Sequence, residues 1–226
     1  MIVKIFLSSE VLTTMRFFSY LPYLLPLFTL AGAQDVDLEQ VKFRFQTANI
    51  PLDIDIPSFD PTVLFELAFP QKSGPSIPTT AGDFINQNQT AGPPTFGLEE
   101  RAGSGPFVVA MVDLDAPDPR NPTEAQIRHF LGGNFRVGAN SALVNSTPAV
   151  TEFLQPNPPV GSEAHRYVFL VFKQSAAFNN QKLVTPATSR DNFDIAAFAT
   201  ALGLGSPIAG TYIVVNVANS TTPADV

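Results

Sequence analysis

The chain has 226 residues, 13 basic against 20 acidic side chains, a net charge of −7 and no cysteine. That balance argues against a nucleic-acid partner and against general attraction to an anionic membrane surface, and the lack of cysteine excludes disulfides, thiolate metal sites and a cysteine nucleophile together. Twenty-one prolines and fourteen glycines punctuate the sequence at short intervals, which favours many short strands over helices.

Residues 1–33 read as a targeting segment. From Met15 the sequence MRFFSYLPYLLPLFTLAGAQ has a short basic start, an apolar centre and then Ala31-Gly32-Ala33, so cleavage is expected after Ala33. The apolar stretch is interrupted by Pro22 and Pro26 and falls short of the ~20 residues a spanning helix needs, so no transmembrane anchor is expected. Glu10 and several polar positions sit awkwardly in the region before Met15, which makes Met15 an alternative start. Three N-x-[ST] acceptors, Asn88, Asn145 and Asn219, lie in polar stretches and agree with export as a secreted, extracellular glycoprotein. Residues 34–226 suit a single domain, which without disulfides is held by its core alone.

Within that domain, residues 42–45 and 52–56 alternate apolar and polar, the pattern of half-buried strands, and residues 64–69 read as another strand. Residues 71–91 are rich in Ser, Thr, Gly, Pro, Gln and Asn and read as a long exposed loop, an insertion. Plain solvation is the simpler account of it, and a partner-binding lid is the other.

Residues 107–130, FVVAMVDLDAPDPRNPTEAQIRHF, carry the first cluster with chemistry in it. A continuous apolar run into Asp113-Leu114-Asp115-Ala116-Pro117 reads as a buried strand that delivers charge to an edge or cleft. Side chains two apart in a strand share a face, so Asp113 and Asp115 are expected to point the same way, with His129 following. The second cluster is Asn157-Pro158-Pro159-Val160-Gly161-Ser162-Glu163-Ala164-His165-Arg166-Tyr167, running into another apolar strand. Alternation places His165 and Tyr167 on one face and Arg166 on the other, where a buried guanidinium needs a carboxylate partner. Near the end, Asp191 stands where an N-cap would, and Phe193, Ala197, Phe198, Ala201 and Leu202 form an apolar stripe ending at Gly203 and Gly205, an amphipathic helix. Residues 208–217 read as a final strand and residues 219–226 as a loose tail.

The D-x-D-A-P run with a histidine sixteen residues after its first aspartate, the P-P pair before H-R-Y, and the block FDIAAFATALGLGSPIAGTY resemble the phosphatidylethanolamine-binding protein family. That family includes carboxypeptidase Y inhibitor and Raf kinase inhibitor types. The resemblance implies a mainly β fold, a large antiparallel-rich central sheet packed on a smaller one, with a C-terminal α-helix. It also implies a small anion pocket lined by Asp113, Asp115, His129, Pro158, His165 and Tyr167, with no catalytic residues, metal or cofactor. The expected ligand is a phosphate-bearing headgroup such as that of phosphatidylethanolamine, or a similar anion. A serine carboxypeptidase or other protease is the alternative partner, which a signalling or inhibitor role would engage through surface loops. Three positions depart from the family pattern: Asn157 and Glu163 stand where glycines are usual, and Leu114 where proline is. The two glycine replacements bear on the pocket's shape.

Chemically, imidazole N–H groups and a phenol O–H donate to phosphate or carboxylate oxygens, whereas carboxylates do not. The expected task of the aspartates is to accept the other ring proton, fix the tautomer and raise the histidine pKa; for Asp115, capping backbone N–H groups is an equal alternative. Two carboxylates and two histidines are also the ingredients of a metal hydrolase, but the sequence has no G-x-S-x-G, H-E-x-x-H or phosphate-binding glycine loop.

Overall fold

The structure is a computed structural model that describes residues 34–216. In chain order it holds α1 (Leu38–Thr47), α2 (Ile50–Asp53), β1 (Phe65–Phe69), β2 (Ile77–Thr79), β3 (Asp83–Asn86), β4 (Thr95–Leu98), β5 (Phe107–Asp113), β6 (Ile127–Val137), β7 (Leu143–Asn145), β8 (His165–Lys173), α3 (Ile195–Ala201) and β9 (Ala209–Asn216). The expected leader, the Asn219 acceptor and the tail from residue 219 lie outside the described residues.

Every residue of β5 is buried, as a strand covered on both faces requires. Val108, Ala110 and Val112 face one layer with Val168, Leu170 and Phe172 of β8 and the helical residues Phe45, Ile50, Ile195 and Phe198. Phe107, Val109 and Met111 face the other with Tyr167, Phe169 and Val171 and with Phe65, Leu67 and Leu98 of the smaller sheet. Six strands in the order β3-β9-β8-β5-β6-β7 form the large sheet, and β2-β1-β4 form the small one. Among the described residues only β3 and β9 pair in parallel; the other pairings are antiparallel. The chain is therefore mainly β, with a large sheet packed on a smaller sheet and its last helix just before the final strand, as expected.

Two expected strands are helices instead. Residues 42–45 lie inside α1, where Asp37 accepts from Glu39 N at 3.0 Å as the N-cap. Val41 and Phe45 are the buried pair, four residues apart, while Phe43 is 66% exposed, so the operative period is that of a helix and not of a strand. Residues 52–56 likewise begin in α2, with Pro51 in its first turn; Ile50 and Ile54 are buried and Leu52 faces solvent. The expected strand at 64–69 is β1, and that at 208–217 is β9.

The stretch 71–91 is not a structureless loop. It contains β2, which pairs with β1, and β3, which pairs in parallel with β9 at the edge of the large sheet. These strands are only three and four residues long, which hid them among polar residues.

At the last helix the N-cap is Asp194, whose Oδ1 accepts from Ala197 N at 2.8 Å, and not Asp191. The buried stripe shifts accordingly to Ile195, Phe198 and Ala199, leaving Ala197 and Ala201 exposed. Asp194→Ala is expected to lower stability by about 1 kcal/mol and Asp191→Ala by much less, read as the difference in urea midpoints at constant m.

Candidate functional site

The two clusters meet because β5 lies between β6 and β8. Asp113, the last residue of β5, pairs directly with Tyr167 of β8, and alternation puts His165 on the same face. His129 reaches that face by a β-bulge: Phe130 pairs with Met111 and Arg128 with Val112, so His129 is the extra residue with no partner across the ladder. Its ring then stands edge-on to Tyr167 at 5.0 Å between centroids, and the His165 ring lies 6.2 Å from Tyr167.

These four side chains line an open cleft of about 270 Å³ together with Pro117, Glu124, Asn157, Pro159, Arg190 and Asp191. Two expected members are elsewhere. Asp115 follows the end of β5, where strand alternation no longer holds. Its carboxylate takes Arg166, accepting from the backbone N at 2.6 Å, from Nε at 2.9 Å and from Nη2 at 2.6 Å. It thus caps a backbone amide, one of its two expected tasks, and supplies the partner that Arg166 needs; Asp53 supplies a second at 2.7 Å. Pro158 is buried, and its neighbour Pro159 lines the cleft instead. The acceptors Asn88 and Asn145 are both exposed.

Asp113 organises the centre. Its Oδ1 accepts from Asp115 N at 2.8 Å, and its Oδ2 accepts from His165 Nδ1 at 2.9 Å while lying 3.9 Å from His129 Nε2. His165 is saturated, because its Nε2 lies 2.8 Å from Ser162 Oγ. With Nδ1–H given to Asp113, a neutral imidazole accepts from Ser162, and an imidazolium donates to it while the hydroxyl donates to Glu163 O at 2.8 Å. This is in outline the hydroxyl–imidazole–carboxylate chain that activates serine nucleophiles. Ser162 stands behind His165 and is not itself among the residues that line the cleft.

His129 donates from Nδ1 to Leu154 O at 2.9 Å, which fixes its tautomer and leaves Nε2 for the cleft. Burial lowers its pKa, with the Leu154 carbonyl and the Asp113 carboxylate opposing the shift and Arg190 adding to it. The expected net rise under aspartate control therefore does not hold at His129, since desolvation outweighs a carboxylate at 3.9 Å.

The Tyr167 phenol is fully buried and its hydroxyl has no hydrogen-bond partner. Asp113 and the Asn157 backbone amide are the hydrogen-bonding groups that approach it, yet neither closes a bond of normal geometry. Burial, reinforced by Asp113, pushes the phenol well above its ordinary pKa, so it is a donor throughout the neutral range.

Arg190 is the site residue that motif reading did not find. Its guanidinium binds backbone carbonyls, with Nη2 donating to Glu152 O at 3.0 Å and Nη1 reaching Arg128 O and His129 O at 3.4 Å. Among the described residues it forms no ion pair. It lies in a polar run, TSRDN, that carries no local signal of a pocket residue.

Comparison with known proteins agrees with this architecture. Residues 70–213 match the model of a family described as phosphatidylethanolamine-binding protein. A 26 kDa secreted antigen of Toxocara canis is 32% identical over 140 residues, which cover 61% of this chain and 52% of that one. The chain spans about half the length of the curated relatives it matches. Carboxypeptidase Y inhibitor, solved with its cognate proteinase, superposes with a TM-score of 0.68 at 18% identity, covering 80% of this chain and 96% of that one. A phosphatidylethanolamine-binding protein from Plasmodium vivax gives 0.61 at 15% identity, covering 77% and 96%. At these identities the likeness is one of fold.

Proposed function

This chain belongs to the phosphatidylethanolamine-binding protein family, and from that premise we propose that it is a secreted, non-catalytic binding protein whose cleft takes a zwitterionic phosphate-bearing headgroup. The carrying observation is the Tyr167 hydroxyl, buried at a cleft wall with no partner. A buried donor left unmade costs about 1–3 kcal/mol, and a ligand oxygen removes that cost. Arg190 adds a cation that forms no ion pair among the described residues, and His129 Nε2 becomes a third donor when the ring is protonated. Glu124, Asp191 and Asp113 in the same cleft repel a bare anion but suit the ammonium end of a phosphoethanolamine group. His165 acts as a positioning residue, because both its nitrogens are already bound. The leader expected over residues 1–33 makes export part of the same proposal, and the Toxocara canis relative is itself named a secreted antigen.

Tyr167→Phe separates binding from folding, because the two effects have opposite signs. Removing an unpartnered hydroxyl is expected to leave stability unchanged or raise it by about 1 kcal/mol, while affinity for phosphoethanolamine falls by roughly tenfold or more. Calorimetric titration of phosphoethanolamine beside thermal unfolding checks both. Unchanged affinity in the variant counts against the proposal.

A further inference from the structure

Arg128 stands beside His129 on β6 and goes the other way. It pairs with Val112, whose side chain belongs to the helical layer, and its guanidinium carbon lies 4.8 Å from the centre of the Phe193 ring. The side chain is among the most deeply buried in the protein, at 1% exposure. Its Nε donates to Thr151 Oγ1 at 2.7 Å and its Nη2 to Thr188 O at 3.2 Å, which uses two of the guanidinium's five N–H groups. Among the described residues no carboxylate lies within 4.0 Å of it.

Acidic side chains outnumber basic ones by 20 to 13, so partners are not scarce. Arg166, which is less deeply buried at 23% exposure, takes two carboxylates. A buried charge with no counter-charge is costly unless something arrives to meet it. Arg128 also lines an open cleft of about 370 Å³ that shares Asp191 with the Tyr167 cleft and whose walls include Leu183, Val184, Phe193 and Phe198. Two acids share this lining. Asp194 is committed to capping α3, and Asp191 is exposed.

We propose that Arg128 and this cleft form a second ligand site, for a small monocarboxylate with an apolar body. The planar fork of a guanidinium matches a carboxylate in two parallel hydrogen bonds, and the aromatic and aliphatic walls take the body. The apolar walls around a single buried guanidinium suit an acid with an apolar body and not a polar zwitterion, which separates this site from the headgroup cleft in chemistry.

Octanoate is the probe, with octanamide as its neutral counterpart, titrated by calorimetry into the secreted protein. Saturable octanoate binding is expected, with octanamide at least about tenfold weaker. Arg128→Gln and Ala197→Phe are each expected to weaken octanoate roughly tenfold, the first by removing the charge and the second by filling the cleft from an exposed position on α3. If Arg128→Gln does not fold, Ala197→Phe decides alone. Tyr167→Phe leaves octanoate binding unchanged, so failure of the headgroup reading and failure of this one are distinguishable. Absence of saturation by about 10 mM, equal binding of acid and amide, or an unaltered Ala197→Phe variant each overturns the proposal.

Discussion

Asp115→Ala is expected to cost roughly 3–5 kcal/mol of folding stability, although Asp115 does not line the ligand cleft. The carboxylate is 2% exposed and holds Arg166 by three hydrogen bonds, one of them from the backbone. Arg166 in turn reaches Asp53 Oδ2 at 2.7 Å and Ala48 O at 2.5 Å, so one guanidinium ties the turn after β5, the strand β8 and the helical segment α1–α2 together. Alanine leaves a half-buried cation and a main-chain N–H short of their acceptor, and that desolvation, more than the lost attraction, sets the magnitude. Removing both charges tests this. Asp115→Leu combined with Arg166→Met replaces the pair by apolar groups and is expected to recover most of the loss, giving a strongly non-additive cycle in urea unfolding. A loss below about 1 kcal/mol for Asp115→Ala would mean that water already screens the pair.

The parts of this molecule that could be read from sequence are those where local pattern and tertiary environment agree. β5 and β8 read as apolar runs because both their faces are covered, and alternation put His165 and Tyr167 on one face with Arg166 on the other. The same rule misled just past the strand end, where Asp115 leaves the pleat and turns to Arg166. It fails again at residues 42–45, where four alternating residues have the look of a strand while Val41 and Phe45, one turn apart, follow the helix that forms. His129 faces the cleft because of a bulge, and a bulge is a property of two strands in register, invisible in one strand's sequence. Arg190 and Ser162 sit in polar loops whose composition says only that they are near solvent. Their roles arise from carbonyls and a ring nitrogen brought close by the fold. The direction of the His129 pKa was misjudged for a related reason: residue types foretell a nearby carboxylate, but not how completely the ring is stripped of water.

Asp113→Ala joins these threads, because Asp113 is where the fold and the cleft share an atom. The substitution leaves Asp115 N–H and His165 Nδ1–H without their acceptor, two buried donors at about 1–3 kcal/mol each. A second effect depends on pH. His129 titrates below its ordinary value in the folded protein, so on acidification the unfolded chain takes up the proton first. The stability associated with the neutral ring is complete above about pH 6.5 and is lost as the pH falls below it. Asp113 opposes that shift, so its removal drives the His129 pKa farther down and deepens the acid loss. Urea unfolding at about pH 7.5 and about pH 5.5 should therefore show a larger drop in stability for Asp113→Ala than for the parent protein. Adding His129→Asn to Asp113→Ala should return part of the difference. An equal or shallower drop in Asp113→Ala would mean that the carboxylate does not act on the charge of the His129 ring, and Asp113 would then serve as the acceptor for Asp115 N–H and His165 Nδ1–H alone.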